Sequence, residues 1–166
     1  MLLGGEAAPR RMVLFEDPQC PYCRQFEEIS GESLRSSRES GVVAIEYRMR
    51  CFLGIESVRA DNALALAAEA NRFDELRTET FAAQPAEGTG GFTTADLLEL
   101  GRQAGLTSPD YVSGIKEGRY EAWVLNAELA FQEQDPQGTP AAWLDGRQVD
   151  PRVLNNPSAL AVLLQS

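Results

Sequence analysis

The chain contains no histidine. That absence removes hydrolytic mechanisms built on Ser-His-Asp or Cys-His pairs. It also removes most zinc sites, because three cysteines alone do not complete a closed tetrahedron. Cysteine is scarce as well, with 3 in 166 residues. A disulfide scaffold is excluded, and a chain of this length does not need one. Basic residues are few, 15 against 25 acidic ones, for a formal net charge of −10. Nucleic acids and anionic membrane surfaces want a basic partner, so neither is expected. No apolar run approaches the ~18 residues that a membrane span requires. Internal repeats and low-complexity segments are also missing. The first residues, Met1-Leu2-Leu3-Gly4-Gly5-Glu6, lack the charged and apolar regions of a signal peptide. Two readings follow: a cytosolic protein, or one whose leader lies ahead of the sequence given.

What is present suits one domain with a real core, since 43% of the residues are hydrophobic. Met12-Val13-Leu14-Phe15 is a short apolar run of the kind found in a strand covered on both faces. Glu16-Asp17-Pro18 ends it. A helix is expected from the Cys20-Pro21 step, proline being favoured at a first helical position, to about Ser40, with Gly41 closing it. Residues 42–49 alternate as a second strand, parallel to the first because a helix connects them. Residues 57–118 read as helical throughout. Ser57 is expected to cap the first of these helices, Thr93 to Asp96 to open another as a capping box, and Ser108-Pro109 a third. Tyr120, Trp123, Val124, Ala127 and Phe131 recur at helical spacing and are expected in the core. Residues 141–144 and 147–149 flank Asp145-Gly146, a hairpin signal, and Asn156-Pro157 caps a last helix. Alternation of strands and helices at both ends gives an α/β class.

The chemistry-bearing motif is Cys20-Pro21-Tyr22-Cys23. A cysteine at a strand-to-helix junction meets outward-pointing N–H groups and the positive end of the helix dipole. Both favour the thiolate, which is the nucleophile. Two intervening residues let the second sulfur resolve a mixed disulfide. Pro21 stiffens the turn, and Arg24 adds positive charge. Cys20 is therefore expected to be the exposed attacking thiol and Cys23 the shielded one. A Cys pair of this spacing also occurs in metal sites, but no second pair or histidine is present to complete one.

The run Phe15-Glu16-Asp17-Pro18-Gln19-Cys20-Pro21-Tyr22-Cys23 resembles the active-site segment of bacterial DsbA-like thioredoxin-fold proteins, and so does Gly138-Thr139-Pro140 ahead of a strand. The resemblance runs from about Ala8 to Leu164. It implies a thioredoxin-like fold with an inserted all-helical subdomain: core residues 8–56, insertion 57–118, core again 119–166. It implies a cis Pro140 lying against the active-site disulfide, and no cofactor beyond that disulfide, Cys20–Cys23. Catalysis would fall to Cys20, Cys23 and Pro140, and substrate binding to Thr139, Pro140 and Tyr22, with peptide added along an exposed strand edge. The implied activity is introduction of disulfides into secreted or cell-envelope proteins, outside the cytoplasm, with a signal or anchor ahead of Met1; a cytoplasmic protein is the alternative. Reduced or unfolded proteins would be the substrates, a quinone-linked membrane protein the reoxidase, and the chain a monomer. The strong oxidases of the family carry Pro-His between the cysteines; here the pair is Pro-Tyr, which removes one source of thiolate stabilisation. A reductase or isomerase on the same fold is one alternative. A copper carrier using Cys20, Cys23 and Met49 or Cys51 is another.

Three residues outside the motif complete the reading. Glu16 is either a proton acceptor with a raised pKa or a solvated acid at a strand end. Asp17 is read as a turn residue. Cys51 follows the second strand, near Arg48 and Arg50, and is read as an inert buried cysteine in preference to a third redox thiol.

Overall fold

In the computed structural model of the protein, residues 1–5, 7–132 and 138–166 are described. Among them, five strands form one sheet in the order β1-β3-β2-β4-β5, with β1 Leu2–Leu3, β2 Arg10–Glu16, β3 Val43–Met49, β4 Ala141–Leu144 and β5 Arg147–Gln148. The central strand is β2, and its apolar run is buried as a strand covered on both faces must be: Met12 and Leu14 are fully buried and Phe15 nearly so. The helix α1, Pro21–Glu39, connects β2 to its neighbour β3, the crossover that a parallel pair requires. Gly41, at φ 76°, turns the chain after it.

On its other side β2 pairs antiparallel with β4, Met12 opposite Leu144 and Phe15 opposite Ala141. The β4–β5 hairpin turns at Asp145-Gly146, where φ is 49° and 80°. A two-residue hairpin turn with both central residues at positive φ is what Asp-Gly supplies. The Asp145 carboxylate also accepts the Arg11 N–H at 2.9 Å and pairs with Arg10 at 2.5 Å, which ties the turn to β2. Two helices, α7 Pro151–Leu154 and α8 Pro157–Gln165, finish the chain, each with proline in its first turn and an Asp150 or Asn156 cap.

The second compact unit is helical: α2 Ile55–Glu69, α3 Phe73–Ala82, α4 Thr94–Gln103, α5 Pro109–Glu117 and α6 Glu121–Gln132. It takes in Asp17–Pro21 and the chain from Met49 through α6, whereas the sheet unit holds Met1–Glu16, Tyr22–Arg48 and the segment from β4 to α8. The helical unit is thus wider than residues 57–118, because α6 packs on α2. Two caps form as the sequence leads one to expect. Thr93 Oγ1 accepts the Asp96 N–H (3.2 Å) while Asp96 accepts the Thr93 N–H (2.8 Å), and Ser108 Oγ accepts the Tyr111 N–H (3.2 Å). Ser57 does not cap α2. That helix begins two residues earlier after Gly54, without a side-chain cap, and the Ser57 hydroxyl donates to Asp17 instead.

The expected core stripe on α6 is also different. Val124 and Glu128 are the buried positions, while Trp123 is 61% exposed and Leu125 and Leu129 are exposed too. Apolar residues occur on every side of α6, so its spacing has no unique phase. The buried face holds Val124, clustered with Cys51 and Val58, and Glu128, paired with Arg50 at 2.6 Å.

Helix packing in this unit depends on small residues. At Gly101 of α4, a Cβ would stand 2.3 Å from the Tyr111 ring of α5. Tyr111 is held there by burial and by donation to the Leu97 carbonyl at 3.1 Å. Gly101→Ala should therefore cost about 1–3 kcal/mol through overpacking, read from urea unfolding. An unchanged midpoint would show that the α4–α5 contact is loose.

Candidate active site

The cysteine motif stands where β2 gives way to α1. Asp17 makes the turn: its Oδ1 accepts the Gln19 N–H at 2.9 Å, and its carbonyl accepts the Cys20 N–H at 2.9 Å. Pro21 is the first residue of α1, so Cys20 sits just ahead of the helix and Cys23 within its first turn. The N–H groups of that turn have no intrahelical acceptor, and the dipole there is positive. The order of access is as expected, with Cys20 5% exposed and Cys23 fully buried. Cys20 is nevertheless a buried residue and not an exposed one. The turn's backbone is bonded as well, with Gln84 Nε2 donating to the carbonyls of both Pro18 (2.7 Å) and Cys20 (3.0 Å).

Asp17 does more than turn the chain. Its side chain is fully buried and accepts the Ser57 hydroxyl at 2.6 Å and the Leu53 N–H at 3.2 Å besides that of Gln19. Burial raises its pKa to about 6; the three hydrogen bonds oppose the rise and charge on Cys20 adds to it. Gln19 extends the network. Its Nε2 donates to the Leu53 carbonyl (3.2 Å) and to Ser57 Oγ (3.1 Å), and its Oε1 accepts the Gly88 N–H (3.2 Å). Sequence reasoning missed these partners because they lie more than thirty residues downstream, and no local spacing marks them.

Glu16 is fully buried at the end of β2, which removes the reading of a solvated acid. Tyr22 is 67% exposed. Arg24 forms an exposed pair with Glu28 at 3.4 Å, so its charge is shared with that carboxylate. The Thr139–Pro140 peptide is cis. It immediately precedes Ala141, the partner of Phe15, and so stands at the end of β2 from which the chain enters the cysteine motif. Although β4 is an interior strand, β5 pairs with it only at Trp143 and Leu144. The Val149 N–H continues that pairing to the Ala142 carbonyl at 2.9 Å, so this side of β4 is bonded from Ala142 to Leu144.

Cys51 is a free cysteine, 6% exposed. Burial above all pushes its thiol up to about 12, and Asp61, Glu128 and Asp17 add to the effect against Arg50. A thiol raised this far carries little thiolate near neutral pH, the form that acts as nucleophile and metal ligand. The two arginines expected nearby are engaged. Arg48 donates to Glu46 at 2.8 Å and lies over the Phe15 ring. Arg50 is buried with Glu128, 2.6 Å from its carboxylate, which also accepts the Cys51 N–H. Asp61 stands in the same cluster, 3% exposed, and neither of its oxygens has a hydrogen-bond partner. Burial, then Asp17 and Glu128, hold its pKa well above the usual carboxylate range. Among the described residues no group of three or more Cys, Asp or Glu side chains is arranged to hold a metal ion.

Comparison with known proteins places this geometry. The family described as Thioredoxin matches residues 1–160. The thiol:disulfide interchange protein DsbA of Salmonella typhimurium is 25% identical over 142 residues, which cover 84% of this chain and 68% of that protein. The reduced disulfide bond oxidoreductase DsbG of Mycobacterium tuberculosis superposes with a TM-score of 0.86 at 24% identity, covering 99% of this chain and 85% of that one. Oxidised BdbD of Bacillus subtilis does so with a TM-score of 0.84 at 19% identity, covering 99% and 90%. These likenesses show the fold that the motifs imply, a thioredoxin-like sheet with inserted helices.

The isolated carboxyl of Asp61 generates a stability test. A carboxyl whose native pKa is raised stabilises the fold fully below its unfolded pKa, near 4, and that stability is lost as pH rises toward the native value. Asp61→Asn removes the ionisation and keeps the shape. Its stability relative to wild type should grow above pH 4, by up to ~1.4 kcal/mol per pH unit, in urea titrations between pH 4 and pH 7. Parallel profiles would show that Asp61 ionises equally in both states.

Proposed function

The chain belongs to the thioredoxin family, matched over residues 1–160, and on that footing we propose that it is a DsbA-like thiol–disulfide oxidoreductase that introduces disulfides into reduced protein substrates. The observation that carries this reading is the placement of the two cysteines: Cys20 just ahead of α1, Cys23 buried in its first turn. A substrate thiolate attacks Cys20 Sγ of the Cys20–Cys23 disulfide, and Cys23 leaves as thiolate. A second substrate thiolate then attacks the substrate sulfur of the mixed disulfide and releases Cys20. The substrate gains a disulfide, and the pair takes up two electrons and two protons. No cofactor beyond the cysteine pair takes part.

Pro140 and Thr139, beside the end of β2, and the exposed ring of Tyr22 are the groups we assign to substrate contact. Support comes from the cis peptide before Pro140, which stands where β4 begins opposite the end of β2. Glu16 is placed as a proton acceptor, and its complete burial supports that role. Return of the pair to the disulfide requires a two-electron acceptor, for which a quinone-linked membrane partner is the proposal. We place the reaction outside the cytoplasm, where disulfides persist, with the chain acting as a monomer. No helix among the described residues is long and apolar enough to cross a membrane.

The helix N-terminus favours the reduced form with a Cys20 thiolate, and what stabilises the reduced form makes the disulfide more oxidising. The pair should therefore lie above thioredoxin's ~−270 mV when titrated against glutathione. It should oxidise reduced, unfolded ribonuclease faster than it reduces insulin. Cys23→Ser should accumulate a mixed disulfide with substrate, and Cys20→Ser none. A potential at or below thioredoxin's would transfer the assignment to a reductase.

A further inference from the structure

Arginine in this acidic chain is as a rule paired. At eleven positions from Arg10 to Arg152 the guanidinium stands within 3.8 Å of a carboxylate oxygen. Arg77 is buried over the Phe81 ring, and Arg147 is exposed on β5. Arg59 on α2 is the exception: it is half-buried and pairs with no carboxylate among the described residues. Lys116, the one lysine of the chain, is unpaired there as well. Both line a single cavity of about 170 Å³ in the helical unit. Two carboxylates, Glu117 and Glu121, line the same cavity and are likewise unpaired among the described residues. Charge held away from bulk water is costly when nothing meets it.

The frame of this cavity is fixed by the fold. Asn62 on α2 is buried and bonds both ends of the α5–α6 junction: its Oδ1 accepts the Tyr120 N–H at 2.7 Å, and its Nδ2 donates to the Gly114 carbonyl at 3.4 Å. Gly118 ends α5 at φ 61°, and a Cβ there would stand 2.7 Å from the carboxyl carbon of Glu121. The glycine thus makes room for that carboxylate at the start of α6. The next side chains along the junction are committed elsewhere, Arg119 to Asp110 at 3.0 Å and the Tyr120 hydroxyl to Glu69. What is left at the cavity is two cations and two anions that share one small space and do not close on one another. A ligand that carries both signs of charge would meet all four.

We propose that this cavity binds a small zwitterion of the amino-acid or dipeptide class, with the ligand carboxylate on Arg59 and Lys116 and its ammonium on Glu117 and Glu121. The site goes beyond the thiol chemistry and does not rest on it. A guanidinium offers a planar fork that matches a carboxylate. The Thr94 hydroxyl, also at the cavity, adds a neutral donor. A simple anion would satisfy the cations but bring charge against Glu117 and Glu121, and a simple cation would do the reverse. Size narrows the class further. A cavity of ~150 Å³ holds a benzene molecule, so this one admits roughly six to ten non-hydrogen atoms. An extended dipeptide spans ~7 Å, which separates its two charges enough for side chains on different helices to take one each.

The test follows backbone amide shifts of the full chain by NMR during titration with glycine and with diglycine. N-acetylglycine, glycinamide and inorganic phosphate, each carrying one sign of charge, are the controls. The zwitterions should move amides in residues 59–62 and 115–121 with a Kd of about 1 mM. The tighter of the two identifies the source, a free amino acid for glycine and a short peptide for diglycine. Each control should bind about ten-fold more weakly or worse, because it leaves one pair of side chains unmet. Arg59→Gln should raise the zwitterion Kd about ten-fold. Glu121→Gln should weaken the zwitterion and leave N-acetylglycine unchanged. The proposal is overturned if neither zwitterion moves these amides at ~20 mM, far above a millimolar Kd. Phosphate or N-acetylglycine binding as tightly as diglycine also overturns it, as an adventitious ion site only, and so does an Arg59→Gln chain that binds like wild type. If Arg59→Gln does not fold, the wild-type ranking of zwitterions against controls still decides.

Discussion

One buried carboxyl joins three stretches of chain that are remote in sequence. Asp17 takes hydrogen bonds from its own turn at Gln19, from the loop at Leu53 and from α2 at Ser57. The cysteine motif can stand at the end of a strand because this carboxyl, with Gln19 and Gln84, supplies partners for a backbone that leaves the sheet ladder. A buried turn without such partners would forfeit ~1–3 kcal/mol for each polar group left unmet. Placement of Cys20 at the mouth of α1 is thus a property of the helical unit as much as of the strand and helix it lies between.

Charge in the helical unit follows a similar rule. Arg50 and Glu128 meet inside it, and Glu128 also receives the Cys51 N–H. A buried ion pair adds little net stability, but leaving either partner alone is strongly destabilising. The pair shares its side of α6 with Val124, which clusters with Cys51 and with Val58 of α2. Asp61 has no such partner among the described residues, and burial, with Asp17 and Glu128 nearby, raises its pKa well above the usual carboxylate range.

Much of this was legible in the sequence. The central strand, the helix opening at Pro21, the Asp145-Gly146 hairpin and the capping box at Thr93 are written in local spacing, and local spacing is what a single sequence displays. The cis peptide before Pro140 was legible only through the family resemblance of Gly138-Thr139-Pro140. Long-range partners were not legible. Ser57 has the chemistry of a helix cap and serves Asp17 instead, and nothing beside it in the chain distinguishes the two uses. Glu128 looks like a surface acid on an apolar helix, but it is buried and paired with Arg50, just past β3. Arg24 looks like a cation available to the thiolate, but Glu28 one turn later shares it.

The two tryptophans fall on opposite sides of the division between the compact units. Trp143, half-buried on β4, stands edge-on to Phe15 at 5.4 Å within the sheet unit, whereas Trp123 is 61% exposed on α6 of the helical unit. Each unit thus carries its own intrinsic fluorophore, one in an apolar setting and one in water. Emission at the blue edge of the spectrum reports the sheet unit and emission at the red edge the helical unit, so loss of one while the other persists becomes visible in a single unlabelled sample.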